Sequence, residues 1–454
     1  MQNYKEQFKG KKITVMGLGI LGRGLGYTKF LAECGTDLIV TDLKTREKLA
    51  TSVKALENLV KKQSFHEAKV EFVLGEHRLE DFKGRDMVIK AAGVPLDSIY
   101  IKEAKKNNIP VEMDVSLFIK SAPKIKVIGV TGTRGKSMTT TLIYKILKDN
   151  EEVLGGKVYP GGNLRGLATL PLLKKVKKGD ILVCELDSWQ LQGFGGSKIS
   201  PNISVFTSFM PDHMNYYKDN MKKYFDDKAN IFKYQNKNDY LIIRPGMKKL
   251  IKNSDTKSKL IVANPKNVKD WSFVVPGEFQ RENLACAVEV ASILGVPESE
   301  SKKIISKFKG LEGRMELLRN YKGIKIYNDN NATTPEATIA GIEALKEKGK
   351  RNIILICGGA DKKLPLDNFV KVVNENCKNL VMIPGTGTDR LLKDYKIKVN
   401  YEAGKDLKMI VKKSLACAKK GDIILFSPAF ASFGMFNNEY ERNDLFVKII
   451  KGLK

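Results

Sequence analysis

Between residues 127 and 141 the chain changes character three times. Val127-Ile-Gly-Val130 has the composition of a buried strand, glycines at 132 and 135 break it, and Lys136-Ser137 lead into a threonine-rich segment, Thr139 to Thr141, that reads as a helix start. A strand, a glycine turn and a helix in so short a span point to an α/β sheet with the turn at the strand's carboxyl end. There, backbone N–H groups and the positive end of the helix face an anion. Lys136 is placed to reach the β- and γ-phosphates of a nucleotide, and the Ser137 hydroxyl to ligate Mg²⁺. The general phosphate-loop pattern has glycine five residues before Gly135, where this chain has Val130, but Gly132 and the Gly-Lys-Ser core are kept. An ATP-using protein is expected.

Two further blocks open in the same way, and together they set the fold class. The first begins Lys12-Ile-Thr-Val-Met-Gly-Leu-Gly-Ile-Leu-Gly22 and continues through strands at Asp37–Asp42 and Asp86–Lys90 and a charged helix near 98–107. The second starts at about 122 and carries strands at 180–186, 202–208 and 239–243, closing with an amphipathic helix from Gln280 to Leu294. The third begins near 311 with two strand-like runs around a turn at Asn320–Gly323, then alternates strands at 352–357, 380–383 and 422–426 with helical spans. Such alternation argues for α/β domains with mainly parallel sheets.

Composition narrows the function. No apolar run reaches the roughly 18 residues that a membrane helix needs, and the first ten residues lack a signal peptide's apolar core. Six scattered cysteines, at 34, 184, 286, 357, 377 and 417, read as reduced core residues and place the protein in the cytoplasm. The net charge of +28 raises nucleic acid as a partner, but the lysines are spread over the whole chain with no aromatic-interleaved stacking motif. A lysine-biased surface that attracts anionic small molecules is the expectation, without nucleic acid or membrane insertion.

Several strand ends carry candidate chemistry. Gly17-Leu-Gly-Ile-Leu-Gly22 matches the dinucleotide fingerprint, with Asp42 at the end of the next strand where a ribose-binding acid belongs. Alone, the turn suits NAD, FAD or another diphosphate such as UDP. Glu185, after the apolar strand 181–183, is a sensible Mg²⁺ ligand. His213 follows the strand 203–207 and, unlike His66 and His77, stands at a strand end on the same sheet edge as Lys136 and Glu185. Polar loops at 328–335, 357–362 and 427–432 occupy the positions where α/β domains keep ligands.

Taken in order, these segments resemble the Mur ligases, ATP-dependent amide-forming enzymes that build the peptidoglycan stem peptide. The residues that carry the resemblance are Gly129 to Ser137, Gly161-Gly-Asn163, Glu185 with Ser188 and Gln190, Asp212-His-Met214 and Lys228-Ala-Asn-Ile-Phe232. Gly277-Glu278 with Asn283, Glu312-Gly-Arg314, Asn328-Asp329 with Ala332-Thr333, Gly358-Gly359, and Ser427-Pro-Ala429 with Ala431-Ser432 complete the set. The resemblance implies an α/β protein of three domains. Residues 1–121 form a Rossmann-like domain for the UDP substrate, 122–310 a central P-loop-type ATPase sheet, and 311–454 a mobile Rossmann-like domain that receives the amino acid. Gly19, Ile20, Leu21 and Gly22 then lie at the diphosphate, Asp42 near the uracil, and Asn163 on the substrate. Gly132, Thr133, Arg134, Gly135, Lys136 and Ser137 cradle ATP, with Gln280 and Asn283 at the adenine, Arg314 at the phosphates and Asp329 at the ribose. Ser137 and Glu185 hold one Mg²⁺ and His213 a second. Lys228, by composition an ordinary solvated lysine, matches the lysine that this family carries as a carbamate, a change that makes it a further metal-positioning group.

The implied reaction adds D-glutamate to UDP-N-acetylmuramoyl-L-alanine through an acyl phosphate, in a monomeric protein. Lys362 and Ser432 match positions that hold the amino acid's side-chain carboxylate. Two positions depart from the D-glutamate pattern: Asn331 stands where a lysine is usual, and Glu439 where an aromatic is expected, with Tyr440 next to it. Arg134 likewise replaces a usual asparagine, a spelling shared with the related poly-γ-glutamate synthases, for which the first block gives no support. The same chemistry with another amino acid or acceptor stays open, as does a dinucleotide-binding oxidoreductase or sensor that uses the first glycine turn alone.

Overall fold

The computed structural model describes residues 4–61, 69–252, 254 and 256–453, so His66 lies outside the described residues. The chain divides into two compact units. One runs to Asn264 and includes Asn283–Ser301; the other comprises Pro265–Glu282 and Lys302–Lys454.

The first unit holds two sheets. In one, β1 (Lys12–Met16), β2 (Asp37–Asp42), β3 (Lys69–Leu74), β4 (Met87–Lys90) and β5 (Val111–Glu112) run parallel in the order β3-β2-β1-β4-β5. The order reverses between β1 and β4, which opens a crevice at their carboxyl ends, and the glycine turn 17–22 lies there. Met16 pairs with Lys90, so the loop after β4 starts beside that turn.

The second sheet contains β6 (Lys126–Thr131), β7 (Val158–Gly162), β8 (Ile181–Glu185), β9 (Ile203–Phe206), β10 (Tyr240–Ile243) and β11 (Lys259–Val262), all parallel, ordered β11-β10-β9-β6-β8-β7. Its central strand β6 is fully buried beyond its first residue, as a strand covered on both faces must be. Register does the rest: Val130 pairs with Glu185, Thr131 with Phe206, and Gly162 with Glu185. The loops after β6, β7, β8 and β9 therefore emerge side by side.

One apolar core joins the two sheets, running from Phe8, Ile13 and Phe30 through Leu170 and Leu182 to Leu241 and Ile251. Asp114 bolts them together. Its half-buried carboxylate accepts the N–H groups of Thr169 at 2.8 Å and Leu170 at 2.7 Å, while desolvation pushes its pKa up.

In the second unit, β12 (Glu316–Tyr321), β13 (Ile324–Asn328), β14 (Ile353–Gly358), β15 (Cys377–Ile383), β16 (Asn400–Ala403) and β17 (Ile423–Phe426) are ordered β12-β13-β17-β14-β15-β16. Only the hairpin partner β12 is antiparallel. The three-block α/β reading and the hairpin at Asn320–Gly323 agree with this. Strands β3, β5, β7, β11 and β16 were not anticipated. β7 contains Pro160 and two glycines, which argue against a strand except at a sheet edge, and an edge is where it lies. β16 is an exposed edge strand with no apolar pattern.

The loop after β13 hangs on a fully buried arginine. Arg442, on the helix Glu439–Lys451, donates from Nε to Asn330 Oδ1 at 2.8 Å and from Nη2 to the Asn330 carbonyl at 2.9 Å. Burial lowers its pKa to about 10. Replacing Arg442 with Met strands both acceptors. Two charge-assisted bonds of this kind hold about 3 kcal/mol, so amide hydrogen exchange of residues 329–333 is expected to accelerate roughly a hundredfold. Unchanged protection would show that the loop is held by other contacts.

Candidate active site

The turn after β6 folds as its glycines dictate. Gly132 and Gly135 have φ of 145° and 91°, and a Cβ on Gly132 would run into the Thr207 hydroxyl and the Ser208 backbone. The absence of those side chains lets the turn be laced to the loop after β9. Thr133 N–H donates to the Ser208 carbonyl at 2.8 Å and Arg134 N–H to Ser208 Oγ at 2.8 Å. The Thr207 and Ser208 hydroxyls both donate to the Arg134 carbonyl. Met210 N–H donates to Thr133 Oγ1 at 3.2 Å. Gly135 caps the helix Lys136–Lys148, which aims its amino end at the turn. Asn283 packs behind, with Oδ1 accepting from Thr139 Oγ1 at 3.0 Å and from Arg244.

Two of the four candidate catalytic residues bond to this turn, and the other two stand on the strand end and the loop beside it. Lys136 Nζ donates to the Gly132 carbonyl at 3.0 Å, and Lys228 Nζ donates to the same carbonyl at 3.0 Å. Lys228 lies on the helix Met221–Ala229, 1% exposed, with its amine 4.9 Å from the centre of the Tyr224 ring. Burial first, and the Lys136 cation second, drive its pKa well below the ordinary 10.5. It is therefore not the solvated lysine that composition suggests; its surroundings favour a neutral amine, the form that captures CO₂. Glu185 ends β8, buried, one strand away from the turn. His213 opens a short helix in the left-handed conformation, φ 56°, with its ring 4.7 Å from that of Trp189. Arg134 Nη1 reaches Asp212 Oδ2 at 3.0 Å, and Asp212 Oδ1 accepts the His213 N–H at 3.0 Å. Thr207, Ser208 and Tyr224 are site neighbours that the sequence reading did not name; for Thr207 and Ser208, hydroxyls directly after an apolar strand were the available signal.

These groups fit Mg²⁺ held jointly with phosphate. Among the described residues, no three His, Cys, Asp or Glu side chains form a cage of their own. Magnesium characteristically takes one or two carboxylates plus substrate phosphates and keeps several waters. Ser137 at the helix start and buried Glu185 on the neighbouring strand suit that role.

At the crevice of the first sheet lies a cavity of about 260 Å³, bordered by Gly17 to Leu21, Arg23, Lys44, Lys90 and Asp114. Ile20 and Leu21 are exposed, and Gly22 caps the helix Arg23–Glu33. Asp42 is buried, and both its oxygens are engaged: Oδ2 accepts the Gly19 N–H at 2.8 Å and Oδ1 the Lys44 N–H at 2.9 Å. Asn163, half-buried after β7, donates its N–H to the Glu185 carbonyl at 2.7 Å.

In the second unit the three polar loops meet. Ala429 N–H donates to the Ala332 carbonyl at 2.9 Å, and Ala360 and Ala431 exchange backbone bonds. Asp329 Oδ2 accepts from Ser427 Oγ at 3.0 Å, and Oδ1 from Met315 N–H at 3.2 Å, next to Arg314. Lys362 Nζ donates to Thr333 Oγ1 at 3.1 Å. Ser432 is buried, as is Gln280 on the helix Glu278–Ile293. Asn330 Nδ2 donates to the Glu439 carbonyl at 2.9 Å, which puts Glu439 beside the loop carrying Asn331.

Residues 130–274 match the Mur ligase middle domain, and residues 313–430 match the Mur ligase glutamate ligase domain. The UDP-N-acetylmuramoylalanine–D-glutamate ligase of Borreliella burgdorferi strain ZS7 is 32% identical over 469 residues, covering 99% of each chain. The chain belongs to the Mur ligase family. It is an ATP-dependent, amide-bond-forming ligase. The enzyme of the same name from Acetivibrio thermocellus is 31% identical and covers 100% of this chain and 99% of its own. Among solved Mur ligase structures, the UDP-N-acetylmuramate-alanine ligase MurC of Thermotoga maritima superposes with a TM-score of 0.59 at 17% identity, over 98% of this chain and 100% of its own. MurF of the same organism, in complex with ADP, also gives 0.59 at 17%, over 91% and 95%. At that identity they show the shared Mur ligase fold. The described chain has no helix long and apolar enough to cross a membrane, and its six cysteines are free thiols, five of them buried.

Two expectations follow from the turn. Gly132→Ala, strained by its φ and blocked by Thr207, is expected to lower ATP affinity by at least a hundredfold in a calorimetric titration; wild-type affinity would mean the lacing is dispensable. Lys228 titrates with a defined sign. The unfolded chain binds its proton up to pH 10.5 and the folded chain releases it far lower, so this group costs stability at neutral pH, and the cost shrinks as pH rises toward 10.5. Lys228→Met, compared in CO₂-free buffer, should therefore raise the melting temperature most at neutral pH and least near pH 10. It should also abolish ligase activity. A stability difference independent of pH would contradict the neutral amine.

Proposed function

We propose that this Mur ligase joins D-glutamate to UDP-N-acetylmuramoyl-L-alanine in peptidoglycan precursor synthesis, as a cytoplasmic monomer. The observation that carries the reading is a pair of anion-gripping turns, 17–22 and 132–135, at the switch points of two sheets that share one core. An enzyme that brings ATP to a UDP-linked acid has a use for both, whereas an NAD-dependent oxidoreductase has none for the second. The name borne by relatives over their full length supports the same substrates.

The domain roles follow: residues 1–121 for the UDP substrate, 122–310 for ATP and 311–454 for the amino acid. A carboxylate is a poor acyl donor, so the γ-phosphoryl group is first transferred to it, giving an acyl phosphate. Lys136 and the N–H groups of the turn 132–135 hold the phosphoryl oxygens, and alignment does most of the work. Asn163 and the turn Gly19–Gly22 orient the UDP-linked substrate, with Asp42 near the uracil. Gln280 and Asn283 serve the adenine, Arg314 the phosphates and Asp329 the ribose. Ser137 and Glu185 would hold one Mg²⁺, and His213 with carbamylated Lys228 a second; bound there, the ions would offset phosphoryl charge and supply Lewis acidity. Lys362 and Ser432 face the side-chain carboxylate of the incoming amino acid, whose amine attacks the acyl phosphate and releases phosphate.

A second reading keeps this chemistry with a different amino acid. Asn331 and Glu439 favour it, because an acidic substrate pocket with one cation fewer and a carboxylate nearby binds a dicarboxylic acid less well. Phosphate release from Mg·ATP and UDP-N-acetylmuramoyl-L-alanine, across a panel of D- and L-amino acids, separates the two. We expect release only with D-glutamate, with the matching product mass, and a loss of at least a thousandfold in Lys136→Ala. Release with another amino acid would move the specificity; none with any of them would sink the proposal.

A further inference from the structure

Lys90 has no assigned role, and its surroundings are those of a binding residue. It ends β4 at the register position of Met16, on the border of the 260 Å³ cavity beside the glycine turn. The residue is 2% exposed, yet its ammonium makes one ordinary hydrogen bond, to the Val94 carbonyl at 2.9 Å, and one long contact, to the Ala91 carbonyl at 3.5 Å. An ammonium carries three donors, and a buried cation is costly unless an anion accompanies it. Asp114, which also borders the cavity, turns its oxygens to the Thr169 and Leu170 N–H groups and makes no ion pair with Lys90. Asp187 and Asp227 attract the ammonium and Lys105 repels it, but burial outweighs them and brings its pKa down to about 8. Asp227 is itself engaged by Gln192 and Tyr217. Among the described residues no carboxylate forms an ion pair with this ammonium, so the cavity is bordered by a desolvated cation next to a turn whose form suits a diphosphate.

We propose that Lys90 binds an anionic group of the UDP-linked acceptor substrate. The assignment rests on the cavity being the acceptor site. A neutral donor would tether Val94 equally well, so a purely structural role gives no reason for a charge here. Both the diphosphate and the acceptor carboxylate offer the required oxygen, and ligands that carry one or both tell them apart.

The experiment titrates UDP and UDP-N-acetylmuramoyl-L-alanine by calorimetry into the full-length wild type, Lys90→Gln, Lys90→Met and Lys90→Arg. Lys90→Gln and Lys90→Met are expected to weaken binding by ~10–100-fold, as loss of a charge-assisted hydrogen bond does, with a smaller loss in Lys90→Arg. Mg·ATP affinity should be unchanged in all, which shows that each variant is folded. Equal losses for both ligands assign the diphosphate; a loss confined to the muramoyl ligand assigns the carboxylate. Wild-type affinity in Lys90→Gln overturns the inference, because glutamine keeps the Val94 bond without the charge. If the wild-type chain itself binds neither ligand, the acceptor-site reading of the cavity falls, and the assignment of Lys90 falls with it.

Discussion

A backbone can hold a phosphate only if nothing else fills the space, and in this chain two loops must share that space. The turn after β6 and the loop after β9 approach closely enough for Thr133, Arg134, Thr207, Ser208 and Met210 to exchange hydrogen bonds. That approach requires glycine at 132, and the order of β9, β6 and β8 provides it. The rest of the proposed catalytic group follows. Lys136 starts the helix, Glu185 stands one strand away, and His213 sits six residues beyond Thr207 at the end of the laced loop. Lys228 is fixed by the same Gly132 carbonyl that holds Lys136.

Two cations on one carbonyl is an unstable arrangement in a dry place. Desolvation and mutual repulsion act in the same direction on Lys228, and the protein resolves the conflict by favouring its neutral form. The lowered proton affinity here comes from the fold rather than from the residue type. Lys90 meets the same desolvation at the other crevice, where burial lowers its pKa to about 8 against the attraction of Asp187 and Asp227. Two buried lysines in one unit thus share a direction of shift and differ in the charged neighbours that modify it.

This difference also marks what the amino-acid sequence can and cannot disclose. The phosphate turn is local, spelled by consecutive glycines, a lysine and a serine, and it was legible at once. The alternation of strands and helices was legible because buried parallel strands are apolar throughout. β7 was not, since its proline and glycines fit only an edge, and edges are set by neighbours. Lys228 among 79 lysines and arginines carried no mark of its own; its burial is a tertiary event, and only family resemblance singled it out. Lys90, without even that, emerged from the cavity it borders.

Asp42 shows how a familiar signature can stand for something other than a ligand. Its two oxygens accept the N–H groups of Gly19 and Lys44, tying the turn after β1 to the turn after β2. The acid is a strut before it is a contact. A descendant of this protein that had lost its nucleotide substrate would still be selected to keep the residue, because removing it frees two loops at once. An acid at the end of a second strand therefore testifies to the architecture of the crevice, and the identity of the guest has to be learned from the groups that face it.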